Sequence, residues 1–187
     1  MFGQVMDCLT TPEGKRPNFK LFTEERYDTI VRHKTSFYSF VLPIQMALYL
    51  AEIVDDEIHK DIEDVMLKIG FLFQAQDDYL DVFGDPKVTG KIGTDIADGK
   101  CSWIAVRSFK QFDTEKGKIF EGNYGSKHRV AVIEWLFDAI NIKKVFRTFG
   151  EKEYKQIQKL ITQFENKHGL NGNSFGQILN IIYKRVK

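Results

Sequence analysis

Strand signals are almost absent from this 187-residue chain, and so are internal repeats and low-complexity stretches. Four prolines and two cysteines are few for its length. Cys8 and Cys101 fit neither a CxxC pair nor a disulfide framework, which favours reduced thiols in an intracellular, cytoplasmic protein. Neither sign of charge dominates: the formal net charge is +1, which gives no case for a nucleic-acid surface or an acidic tail. The longest apolar tract, residues 40–51, is interrupted by Pro43 and Gln45. It falls short of the roughly 20 residues a membrane span requires. The opening residues lack the basic and apolar regions of a secretory signal, so none is expected.

Helical patterning fills the chain. Residues 1–9 read as the end of a helix and residues 10–22, with Pro12, Gly14 and Pro17, as a loop. Thr23 is a candidate N-cap for a helix through Lys34, and Pro43 marks a bend or restart before the helix through Ala51. A long helix is expected from about Asp56 to Val82, stopped by Gly84-Asp-Pro86. Further helices are expected from Ser102, from about Ser126, and from about Lys152 to near Gly169. Ser174-Phe-Gly-Gln177 reads as a capping box for the last one, with Phe175, Ile178, Leu179 and Ile182 as its apolar face. The expectation is one all-α domain over residues 1–187.

The chemistry concentrates in the long helix and the loop after it. Gln74, Asp77, Asp78 and Asp81 fall at i, i+3, i+4 and i+7, one stripe of a helix, beside the apolar series Ile62, Val65, Met66, Ile69 and Phe73. Like charges at this spacing repel by a few tenths of a kcal/mol per pair. Next to an apolar stripe, that repulsion points to a cation; a salt-bridged surface patch is the alternative. The loop returns Lys91 and Lys100. Carboxylates beside lysines suit a polyphosphate bridged by Mg²⁺, an ion commonly held by one or two carboxylates plus substrate phosphates, with lysines on the remaining oxygens. The loop glycines do not make a nucleotide-binding P-loop. Gly84 and Gly90 enclose five residues, Lys91 is followed by Ile92, and the loop follows a helix. A mobile flap or a solvated turn remain. Asp55-Asp56-Glu57 reads as acidic residues opening a helix.

On these residues the chain resembles the farnesyl diphosphate synthase family of trans-prenyltransferases. The resemblance rests on Gly3-Gln4-x-x-Asp7, Lys34-Thr35 with Phe37, Tyr38 and Phe40, the Phe73 to Trp103 stretch including Thr94-Asp95, Glu121-Gly-Asn-Tyr-Gly125, and Tyr183-Lys-Arg-Val-Lys187. It implies an all-α isoprenoid synthase helical bundle, truncated at the N-terminus, and an Mg²⁺-dependent condensation of isopentenyl diphosphate with an allylic diphosphate. It further implies that Lys34, Thr35, Gln74, Lys91 and Lys100 hold the allylic diphosphate, with Lys34, Thr35 and Gln74 catalytic. Metal would be held by Asp77 directly, by Asp78 and Asp81 through water, and by Asp7 near another metal pair. Gln4, Tyr38, Phe73 and Asp95 are further motif positions. Arg185 resembles the basic end that closes the homoallylic site, from which Val186 departs. The first aspartate-rich motif of the family is missing, so a catalytically impaired paralogue or fragment is the alternative reading. The family also implies a homodimer or pairing with a full-length subunit. Without that upstream half, Phe37, Tyr38, Phe40, Phe71 and Phe73 are expected to be partly uncovered.

Overall fold

The computed structural model describes residues 2–12 and 14–185; Met1, Val186 and Lys187 of the terminal motifs lie outside them. No strand occurs among the described residues. Helix α1 spans Phe2–Thr10. Thr23 caps α2 (Glu24–Val31) by accepting from the Arg26 N–H, as its position predicts. The helix does not end there. It widens into a π-helical segment, Arg32–Val41, and returns to α-geometry in α3, Leu42–Leu50. The Leu42 N–H reaches the Phe37 carbonyl, five residues back. Pro43, expected to bend or restart the chain, therefore enters the first turn of α3, where its missing N–H costs little.

Helix α4, Asp56–Phe83, is the axis of the molecule. Its start is set by the Asp55 carboxylate, which accepts from the Glu57 and Ile58 N–H groups. These N–H groups hold the Asp55 pKa below the ordinary range. Along α4, Ile62, Val65, Met66, Ile69 and Leu72 are buried with Val41, Ile157, Ile161, Phe164, Leu179 and Ile182 in one core cluster. Ala75 belongs to a second cluster built around Trp103, Ile104, Phe120, Leu136 and Phe137. One helix thus runs through both cores, and its C-terminal half carries the aspartates. Asp61 ties α4 to the end of a later helix through Lys167 Nζ and His168 Nε2, each 2.8 Å from the same oxygen.

Two short helices, α5 (Pro86–Thr89) and α6 (Asp95–Asp98), interrupt the glycine-rich loop. Helix α7 (Trp103–Phe109) starts at Ser102 as expected, its hydroxyl accepting from the Ala105 N–H. Helix α8 (Thr114–Asn123) is not foreseen by periodicity, because only Phe120 in it is buried; its signal is the Asp113 cap. The helix expected from Ser126 is α9, Val130–Ala139, preceded by a 3₁₀ turn at Lys127–Arg129. Helix α10 begins at Ile142, ten residues before the expected Lys152. The helix is carried through Gly150 by burial of Ile142, Phe146 and Ile157. It ends on Gly169, in the left-handed conformation a glycine adopts without strain.

The capping box at Ser174 does not form. Helix α11, Asn173–Lys184, starts two residues earlier, with Gly172 at the N-cap position and no side-chain cap. The Gly172 N–H is instead taken by Glu165 Oε1 of α10 at 2.9 Å. A tertiary acceptor replaces the local one, while Leu179 and Ile182 are buried as the apolar stripe predicts.

One flank is uncovered. Phe37 and Tyr38 are exposed, and Phe40 and Phe73 shield each other at 5.4 Å between ring centroids. Phe71 packs its ring against Tyr27 and Phe149 and is partly uncovered, as expected. The open face extends further than the sequence suggests, along Leu42, Met46, Tyr49 and Leu50 of α3, the last 86% exposed, and Phe2, Val5 and Leu9 of α1. Helix α3 contains no buried residue. Exposed apolar surface of this extent marks an interaction or aggregation site. The chain is accordingly expected to self-associate or bind a hydrophobic dye, and replacing Leu42 and Met46 by serine should reduce both. Light scattering and dye fluorescence check this; a monodisperse, dye-silent wild-type chain contradicts it.

Candidate functional site

The glycine of the Gly3-Gln4-x-x-Asp7 segment brings α1 against the π-helical segment: a Cβ there would fall onto the Lys34 backbone. That approach sets buried Asp7 beside Lys34, whose Nζ lies 2.8 Å from Asp7 Oδ2. Lys100 Nζ, from the far end of the loop, lies 3.4 Å from the same oxygen. Burial pulls the Lys34 ammonium pKa down, but the hydrogen bond and charge of Asp7 outweigh it and leave the pKa raised.

Across the cavity, Lys91 Nζ sits 3.6 Å from both Asp77 Oδ2 and Asp81 Oδ1. One cation therefore already stands between two carboxylates spaced a turn apart. Asp77 is also reached by Arg185 at 3.3 Å, whose guanidinium lies 4.8 Å from the Phe73 ring centroid. Gly93 lies so close to the Asp81 carbonyl that no side chain fits, and the Asp95 N–H donates to Asp81 Oδ2 at 2.8 Å. This contact folds the loop back onto α4. Asp95 thereby becomes a half-buried acid: desolvation first, then the charges of Asp78 and Asp81, push its pKa up to about 8 against the opposing pull of Lys91 and Lys100.

Asp78 faces inward. Tyr27 Oη and the Trp103 N–H both donate to Oδ2 at 2.7 Å, and Gln74 Nε2 donates to Oδ1 at 2.8 Å. Gln74 in turn accepts from the Thr35 hydroxyl at 2.7 Å. Burial pushes the Asp78 pKa up to about 6, although its three donors favour the anion. Both oxygens of Asp78 are thus bound by protein donors rather than by Lys91. Tyr27 and the start of α7 are the partners that spacing did not reveal, since each comes from a different helix. Burial and the charges of Asp7 and Asp78 push the Cys101 thiol up to about 12, which makes it an unreactive wall residue.

Asp7, Lys34, Thr35, Gln74, Asp77, Asp78, Asp81, Lys91, Asp95 and Lys100 all line one cavity of about 120 Å³. Gln4 and Tyr38 do not; they share a neighbouring recess with Lys34 and His33. Phe73 supports Arg185 from outside. Among the described residues, no three acidic, histidine or cysteine side chains converge tightly enough to hold a metal alone. The pair around Lys91 fits a hard cation that takes its remaining ligands from water and a bound anion.

Asp78→Ala is expected to lower stability by at least about 2 kcal/mol, because three buried donors lose their acceptor. Asp77→Ala, at the cavity mouth, should be close to neutral. Denaturant titration of the two variants separates these roles. Stability should also depend on pH in a definite direction. Asp78 and Asp95 are raised above the unfolded value of 3.8, so the native chain holds protons that the unfolded chain has released. Their contribution is fully present below about pH 4 and is lost as pH rises through about 6 and then about 8. Without divalent cations, the melting temperature should fall between about pH 4 and 8, and Asp95→Asn should flatten the part of that fall above about pH 6.

Comparison with known proteins agrees with this architecture. The polyprenyl synthetase family model matches residues 1–140. Farnesyl pyrophosphate synthase of Gallus gallus is 41% identical over 187 residues, covering 99% of this chain and 50% of that protein. The Homo sapiens enzyme of the same name is 45% identical over 164 residues, covering 87% of this chain and 39% of that protein. The structure of T. brucei farnesyl diphosphate synthase complexed with minodronate superposes with a TM-score of 0.89 at 30% identity, covering all of this chain and 54% of that one. The chain spans about half the length of the curated relatives it matches. With an all-helical fold shared with those structures and a family match over most of its length, the chain belongs to the polyprenyl synthetase family.

Proposed function

We propose that this chain carries the diphosphate-holding side of a farnesyl diphosphate synthase site, condensing an allylic diphosphate with isopentenyl diphosphate. The observation that carries the reading is the pairing of Lys91 with Asp77 and Asp81, opposite Lys34 and Lys100 on Asp7. Three carboxylates of the cavity, Asp7, Asp77 and Asp81, are paired with lysines that a diphosphate would attract away. The names of the relatives support it, as does a T. brucei relative complexed with a bisphosphonate, a diphosphate analogue.

Transfer of Lys91 to phosphate oxygens frees Asp77 and Asp81 to hold a cation, for which Mg²⁺ is the best match to an oxygen-only donor set. Bound there, it would withdraw charge from the leaving diphosphate. Lys34, Lys91 and Lys100 add fixed positive charge at the same oxygens. The allylic C–O bond breaks with its electron pair leaving on the diphosphate. The isopentenyl alkene attacks the cation, and a proton departs to the released diphosphate. The Thr35 hydroxyl, with its hydrogen committed to Gln74, turns oxygen lone pairs to the cavity, where partial negative charge steadies the allylic cation. Asp78 holds Gln74 in place rather than meeting substrate. Arg185 at the mouth is placed to receive the second diphosphate. We assign the open α1–α3 face to pairing with a second chain, and the unpaired thiols Cys8 and Cys101 support a reducing, cytoplasmic setting.

Calorimetry with a bisphosphonate tests the reading: binding should require Mg²⁺ and be strongly weakened in Asp77→Ala. Lys91→Ala should weaken binding roughly ten- to hundredfold, the worth of one charge-assisted contact at ~1.5–3 kcal/mol. Metal-independent binding equal in both variants overturns the assignment. Incorporation of labelled isopentenyl diphosphate into a prenyl product tests the reaction itself.

A further inference from the structure

On another flank of α4 lies a second cavity, of about 390 Å³, that shares no residue with the diphosphate site. Its size is within the range of small-molecule pockets, roughly 300–1,000 Å³. Three features show that it is built rather than incidental. Gln76 lies in it with only 1% of its surface exposed, yet its Oε1 has no hydrogen-bond partner. Buried polar atoms are rarely left unpaired, so this amide calls for a donor. One wall is a flat aromatic stack, Tyr79 on Phe146, 4.1 Å apart with planes 11° from parallel. Tyr183 of α11 forms another wall.

The third feature is Gly150. It lies inside helix α10 and is buried, with ordinary helical backbone. Glycine is unfavourable in a helix interior, and no neighbour demands it here, since an added Cβ would meet nothing within 4 Å. Its effect is to leave the cavity open. At the rim, Arg147 makes no ion pair or hydrogen bond among the described residues. Lys143 is only loosely held, 3.7 Å from Asp138 and 4.6 Å above the Phe83 ring. Glu151 is the single acid of the lining, so the rim is net positive.

We propose that this cavity is a ligand site for a small organic anion with a flat apolar body. The body lies against Tyr79 and Phe146, a hydroxyl or N–H of the ligand donates to Gln76, and its anionic group meets Arg147 and Lys143. The site contains no carboxylate pair and therefore needs no divalent cation. That separates it from the proposed diphosphate chemistry, and either reading can fail alone.

The probe is 6-hydroxynaphthalene-2-sulfonate, titrated calorimetrically against the whole chain in chelator-containing buffer. Saturable binding at one site per chain is expected, with Kd below about 1 mM. Gly150→Met, which fills the void, and Arg147→Ala, which removes the free cation, should each weaken it about tenfold or more. Gln76→Leu should lower affinity for the hydroxylated probe to that of naphthalene-2-sulfonate, and should leave binding of the latter unchanged. This comparison stands even if Gly150→Met does not fold. The double variant Leu42→Ser/Met46→Ser, on the open apolar face, should bind as the wild type does. Absence of saturable binding, a requirement for Mg²⁺, indifference to both Arg147→Ala and Gln76→Leu, or loss of binding in the α3 double variant would each overturn the proposal.

Discussion

The buried carboxylate of Asp78 joins three helices at one point. Tyr27 comes from α2, Trp103 opens α7 and Gln74 lies one turn back along α4; all donate to it. Through Gln74 the network reaches Thr35 in the π-helical segment. A buried network of this kind is stable only when every member is satisfied, because an unpaired donor in a low-dielectric interior is costly. The cavity walls supplied by α2, α4, α7 and the π-helical segment are therefore held in register by a carboxylate whose two oxygens are both taken by protein donors. Widening of the helix at Arg32–Val41 belongs to the same arrangement, since π-segments recur where a helix must present functional side chains.

Charge balance gives the site its second constraint. Five aspartates line a cavity of about 120 Å³ with three lysines, Lys34, Lys91 and Lys100, while Arg185 reaches Asp77 from the mouth. Asp78 and Asp95 have no close cationic partner; three neutral donors serve Asp78, while burial and then the charges of Asp78 and Asp81 raise the Asp95 pKa. A proton there answers the same local deficit of positive charge that a bound cation would answer. Loop closure is coupled to it, because the Asp95 N–H binds Asp81 while its side chain turns inward. In the proposed function, the carboxylates and lysines that face each other in the free chain are the groups assigned to a metal and a diphosphate.

The elements legible in the sequence were those with local causes. Thr23, Asp55 and Ser102 cap their own helices, and the stripe Ile62 to Ile69 buries itself at a period any helix must have. Helix α8 was not legible, because a single buried phenylalanine makes no period. The early start of α10 was hidden by Gly150, and the start of α11 by Glu165, an acceptor from another helix. Asp77 and Asp81 were recognisable as a pair, but nothing in their spacing distinguished the inward carboxylate of Asp78 from its neighbours.

The sequence by itself determined an all-helical chain and the presence of an acidic stripe followed by a lysine-bearing, glycine-rich loop, because caps, periodicity and spacing act within a few residues. Only the tertiary structure decided which aspartate is structural and which face the cavity, since that depends on donors from Tyr27 and Trp103, 51 and 25 residues away along the chain. It alone placed Lys34 and Lys100 on Asp7 and left Gln76 beside a void. Those are consequences of how helices meet, and the meeting is governed by burial and charge summed over both cores rather than by any single segment.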